Sequence, residues 1–159
     1  MEFDPLVDYG NFDLTDEINL AYWKFAELIK TLITLSSDAE RQSEIIGYGL
    51  VCDEMVEDFE LYFTLAVELY KRFNLLTDFQ IEKLSELEYY FDSRSGVRLL
   101  DFWNDSLLET SEEWQIFRQM AKNILELLGM QNLKIEFERK ESINQKIIVQ
   151  STKIRLVKK

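Results

Sequence analysis

The hydrophobic period changes once along this chain, at Gly129, and that change limits the fold more than any other feature. Before Gly129 apolar residues recur at steps of three and four, the period of an α-helix, whereas beyond it they alternate with polar residues, the period of a strand. A helical body followed by two short extended runs predicts a mainly α, α+β fold: a bundle of about four main helices with a C-terminal antiparallel β-hairpin or small sheet. The chain has 159 residues, 47% hydrophobic and 13% aromatic, and no composition break long enough to divide it. One domain over 1–159 is expected, comprising a helical body over 1–132 and a β-rich segment over 133–159.

Within the body, Ile18, Tyr22, Phe25, Ile29 and Leu32 alternate steps of four and three, predicting a helix over 16–35 with Thr15 as N-cap and Asp16 and Glu17 at its positive end. Ser37 and Glu40 stand at capping-box spacing before a short helix or ordered loop that ends among Gly47 and Gly49. The longest stripe is Tyr48, Cys52, Met55, Phe59, Tyr62, Ala66, Leu69 and Phe73, which reads as one continuous helix. Thr77 and Gln80 open a further helix with core positions Ile81, Leu84, Leu87 and Phe91. Thr110 and Glu113 open another, carrying Trp114, Phe117, Ala121, Ile124 and Leu128 and closed by Gly129.

Five carboxylates, Asp53, Glu54, Glu57, Asp58 and Glu60, ride on the long stripe. At about 100° per residue, Asp53, Glu57, Glu60 and Glu68 lie opposite the apolar positions, Glu54 beside them and Asp58 nearer the edge. No lysine or arginine occurs between residues 42 and 70, so the like charges repel without compensation along the helix. A solvated helix face usually mixes both signs. The five acids are therefore the candidate partner-binding surface, with a plain solvent face as the competing reading. Cys52 lies on the stripe itself and between acids, which makes it a small buried apolar residue rather than a nucleophile.

The run DSRSG, Asp92 to Gly96, has turn chemistry, and its Arg94 is placed either to anchor the loop, through Asp92 or acids of the preceding helix, or to hold an anion. The following stretch, VRLLDFWNDSLLE, is apolar and irregular; packing is the expected role of Phe102 and Trp103. Beyond Gly129, Leu133, Ile135 and Phe137 alternate with Lys134, Glu136 and Glu138, SINQ reads as the turn, and KIIVQSTKIRLV supplies a β-branched second strand. Residues 133–159 hold eight of the eighteen basic residues and three of the thirty acidic ones, a balance of +5 against -17 for residues 1–132. Such a basic hairpin either packs on its own acidic body, the favoured reading, or presents an edge to a partner strand.

The chain has no histidine, which removes Ser-His-Asp triads, Cys-His pairs and histidine metal sites. One cysteine excludes an internal disulfide and any multi-thiolate centre, and five scattered glycines form neither a P-loop nor a dinucleotide fingerprint. No EF-hand loop is present, so no cofactor or metal is expected. With a net charge of -12 the molecule repels phosphate backbones and anionic lipid. The expected partner is a basic protein rather than nucleic acid or membrane, and the expected setting is the cytoplasm. Carboxylate or metal-dependent hydrolysis stays open as an alternative, with Glu86, Glu88 and Asp92 its nearest candidates.

The block from DFELYFTLAVELYKRFNLLTDFQIEKLSELEYYFDSRSG through DFW to WQIFRQMAKNILELLG, roughly residues 50 to 129, resembles the small acidic helical immunity proteins of bacterial polymorphic and contact-dependent toxin systems. The resemblance implies a non-enzymatic protein that binds and neutralises one cognate toxin domain, often a basic nuclease. An acidic protein that imitates nucleic acid to occupy a host DNA-binding enzyme is a second reading from the charge alone.

Overall fold

The computed structural model describes residues 2–97 and 100–159. Arg98 and Leu99, part of the irregular apolar stretch read above, lie outside the described residues. Helices α1 (Glu17–Ser36), α2 (Ala39–Ile46), α3 (Val51–Phe59), α4 (Val67–Arg72), α5 (Asp78–Asp92) and α6 (Glu112–Leu127) precede strands β1 (Leu133–Asn144) and β2 (Ile147–Lys158). The strands pair antiparallel as a two-stranded sheet. The mainly α body with a terminal hairpin is thus the α+β arrangement that the change of period predicts. No helix of the described residues is long and apolar enough to cross a membrane.

Helix α1 is central, touching α2, α3, α4, α6 and both strands. Its second half, Thr31 to Leu35, is buried all the way round, because LITL and its neighbours leave no polar face to turn outward. The two threonines in this run satisfy their hydroxyls inside the helix: Thr31 donates to the carbonyl of Glu27 at 2.9 Å and Thr34 to that of Lys30 at 3.0 Å.

Helix starts fall one residue later than the spacing predicts in three places. Asp16, not Thr15, caps α1 by accepting from Ile18 and Asn19; Asp38, not Ser37, caps α2; and Ser111, not Thr110, caps α6. Adjacent oxygen-bearing residues compete for these positions, and a carboxylate is the stronger acceptor for an N-terminal amide in the first two. At α5 the Thr77 and Gln80 capping box forms as the spacing predicts. Gly129, at φ 71°, ends α6 in the left-handed region.

The long stripe is not one regular helix. After α3 a π turn over Glu60–Thr64, in which Leu65 N–H donates to the carbonyl of Glu60 at 3.0 Å, inserts extra chain before α4. The buried positions beyond Phe59 become Phe63, Ala66 and Tyr70, while Tyr62, Leu69 and Phe73 are only half-buried. Tyr48 precedes α3 and is exposed. Tyr70 lies wholly inside, and its hydroxyl donates to the carbonyl of Tyr62 across the wide turn.

A second concentration of core lies where α5 and α6 meet the 3-10 turn Asp101–Trp103. Phe102 stacks on Trp114 with ring centroids 4.7 Å apart, and the Trp114 indole donates to the Phe102 carbonyl at 2.9 Å. Phe102 is buried and Trp103 half-buried, so both pack, as expected.

The hairpin turns at Gln145 and Lys146, both with positive φ, so the turn takes only the last residue of SINQ and the one after it. Two left-handed residues between paired strands match the right-handed strand twist, and the longer ladder wins over the turn propensity of Ser142 and Asn144. The root of the hairpin packs on the body through Leu133, Ile135 and Leu156. Farther out, Arg139 donates to the carbonyls of Glu44 and Ile45 at 2.7 and 2.6 Å, and Gln150 exchanges hydrogen bonds with the backbone of Ile46 and Tyr48. A cation thus meets the negative end of α2. Packing against its own molecule holds for this half. Gly47 makes it possible: a Cβ there would stand 2.6 Å from the Gln150 amide oxygen and 2.7 Å from the Arg139 guanidinium carbon.

Candidate functional site

The acidic stretch forms the exposed side of α3 and the π turn. Its first problem is local: Leu50, the N-cap residue of α3, has no side chain able to accept from the first amides. Asp105, from a 3-10 turn far along the chain, supplies the missing carboxylate, accepting from Val51 at 2.9 Å and Cys52 at 3.0 Å. Asp53 and Glu54 add negative charge to the same first turn, where the helix dipole favours it.

The five acids do not share one environment. Glu57 and Glu60 are exposed, whereas Asp53, Glu54 and Asp58 are half-buried. Burial, then the neighbouring Glu57, Asp105 and Asp53, pushes the Glu54 carboxyl above its ordinary range. Asp58 is pushed up to about 6, first by burial and then by Glu54, Glu27 and Glu57. Glu57 and Glu60 face outward as expected, whereas Asp58, nearer the edge of that face, is half-buried, with Glu27 of α1 among the charges that act on it. The Tyr62 hydroxyl is pushed up to about 12 by burial, Glu27 and Asp58, and its ring meets Trp23 edge-on at 6.1 Å.

Among the described residues, Glu54, Glu57, Asp58 and Glu60 have no ion-pair partner. Their neighbours Glu27 and Glu68 are paired, with Lys30 at 2.8 Å and Lys71 at 3.1 Å. Leu50 and Leu61 are exposed, 64% and 42%; in the sequence they stand at i, i+4, i+7, i+11 with Glu54 and Glu57, but Leu50 is the extended N-cap residue and Leu61 lies in the π turn. Sequence reasoning passes over these leucines and over Glu27. The leucines interrupt the acids at helical spacing, a signal that was available; Glu27 comes from another helix and left none.

Arg94 is a loop anchor in its contacts. It donates to Glu113 of α6 at 3.0 and 2.5 Å and to the carbonyl of Tyr90 at 2.8 Å, with its guanidinium over the Tyr90, Phe102 and Phe117 rings. The partner is an acid of the following helix, not Asp92 or the preceding one. Glu86, Glu88 and Asp92 do not form one cluster: Glu86 pairs with Lys83 at 3.2 Å and is rotated about 200° from Glu88, while only Glu88 and Asp92, four apart, share a side of α5. Among the described residues no three Cys, Asp or Glu side chains gather as a metal ion requires. Cys52 is fully buried, and burial together with Asp105 pushes its thiol far above the ordinary range.

The chain matches no family model, no curated protein and no solved structure.

Proposed function

We propose that this protein is an immunity-type inhibitor that binds and neutralises a cognate bacterial toxin domain with a basic surface, without catalysing a reaction. The observation that carries the reading is the row Glu54, Glu57, Asp58 and Glu60, whose carboxylates lack a cation within the described molecule while exposed Leu50 and Leu61 flank them. Unpaired charge of one sign is a standing electrostatic cost that a cationic partner would remove. The leucines offer the apolar contact that charge alone does not supply, since complementary charge governs encounter more than residence. The half-buried Asp58 gains most, because an arriving lysine or arginine would favour its ionised form.

The test is association with a basic toxin domain encoded beside this gene, followed by stopped-flow mixing at low and high salt. Complex formation should suppress the toxin's activity. Glu57→Lys with Glu60→Lys should slow association by about tenfold at low ionic strength and by much less at high ionic strength. Unchanged association at low salt would remove this face from the interface.

A further inference from the structure

Where the root of the hairpin joins the body, α1, α2, α6 and β1 converge without closing and leave a cavity of about 630 Å³. Sites for small molecules run from roughly 300 to 1,000 Å³. Ile33, Ile45, Leu125, Leu133 and Ile135, at least one from each element, line it with apolar side chains that belong to the core. Its rim is cationic: Arg41, Lys122, Lys134 and Lys159 stand around it against a single acid, Glu126. That balance reverses the chain as a whole, which has thirty acidic residues and eighteen basic ones. Arg41 is held in place, donating to the Ile135 carbonyl at 2.9 Å and to Glu44 at 3.0 Å, with its guanidinium carbon 5.2 Å from the centre of the Phe137 ring. Lys122 and Lys134 are exposed and, among the described residues, pair with no carboxylate. Glu126 follows Lys122 by one turn of α6, in the less favourable order for an i,i+4 pair, and the two do not meet. The neighbouring depression over β1 shares Arg41 and Lys134 but is balanced by Glu136 and Glu138, with Arg155 already paired to Glu136 at 3.0 Å. Unbalanced cations around apolar walls are therefore a property of the first cavity.

We propose that this cavity binds a small organic anion, a carboxylate carried on a short apolar body, with the head among Arg41, Lys122 and Lys134 and the body against Ile33, Leu125 and Ile135. Each part of the ligand answers a part of the site. The carboxylate relieves the repulsion among the cations, and the apolar body covers side chains that a bare inorganic anion would leave wet. Net charge limits the size of the ligand. A polyanion long enough to leave the cavity would meet Glu44, which is bound to Arg41, and Glu136, next to Ile135, on a molecule of net charge -12, whereas a monoanion stays inside the local positive field. No residue of α3 lines the cavity, so the inference is independent of the toxin reading and either can fail without the other.

The test titrates the isotope-labelled full chain with octanoate, with octylamine as a similar body of opposite charge, and with acetate as the head alone, each to about 10 mM, while nuclear magnetic resonance follows Leu125, Leu133 and Ile135. Octanoate should shift these residues saturably with a dissociation constant below about 1 mM, and octylamine and acetate should act on them at least about tenfold more weakly. Lys122→Gln with Lys134→Gln removes two exposed charges and leaves the fold alone; octanoate should then bind about fivefold more weakly, the worth of two exposed ion pairs. The spectrum of the free double variant should match the parent away from the two substitutions. Four results would overturn the proposal: no saturation by octanoate, shifts centred away from Leu125, Leu133 and Ile135, equal effects of octylamine or acetate there, or unchanged affinity in the double variant.

Discussion

The carboxylate of Asp105 accepts from the backbone N–H of Cys52 at 3.0 Å, with its other oxygen accepting from Val51, and so caps a helix that begins 54 residues earlier in the chain. This contact ties the irregular segment before α6 to the helix that carries the acidic face. Truncating the acceptor leaves two amides at a half-buried helix end unsatisfied. Asp105→Ala should lower unfolding stability by about 1–2 kcal/mol, the usual worth of an N-cap, seen as a shifted urea midpoint with unchanged slope. Asp105→Asn should recover part of the loss, since its amide oxygen still accepts.

Asp58 makes stability depend on pH in the less common direction. Its folded-state value of about 6 lies above the ordinary 3.8, so between roughly pH 4 and 6 the folded protein binds the proton that the unfolded chain has released. The contribution is favourable below that window and is lost as pH rises through about 6. Asp58→Asn should therefore stabilise the protein on the order of 2 kcal/mol at pH 7.5 and by almost nothing at pH 4. Denaturant titrations of both proteins at the two pH values measure the difference; equal effects at both would mean that Asp58 is solvated.

Tyr70 sends its hydroxyl into the π turn, to the carbonyl of Tyr62. Tyr70→Phe keeps the ring and its edge contact with Phe25 but leaves that carbonyl without the hydroxyl. The expected cost is about 1–2 kcal/mol in thermal or urea unfolding, with faster amide exchange confined to residues 60–66. Exchange that rises uniformly over the molecule would contradict a local role for the bond.

The fold class was legible because it depends on periodicity, which a single sequence carries: the 4,3 spacing of Trp114, Phe117, Ala121 and Ile124 and the alternation of Leu133, Ile135 and Phe137 report which side of each element is buried. What escaped is what a one-dimensional pattern does not contain. The π turn leaves no mark on the spacing, since Tyr62 and Phe63 are both aromatic and either completes a plausible stripe. Asp105 caps α3 from a distance, so no local motif announces it. Among the acids, Glu57 and Glu60 were readable as exposed from their angle on the helix, and Asp58 as nearer the edge, but the charge of Glu27 that acts on Asp58 comes from another helix and leaves no local signal.

Gly47 shows how narrowly the two oppositely charged parts of the molecule are coupled. The space where its side chain would begin is already filled by Gln150 and Arg139, the two groups that hold the hairpin to the end of α2. A single methyl there, already strained by a φ of 73°, would push the ends of those two side chains off the last turn of α2, so one backbone position governs whether the clamp can close.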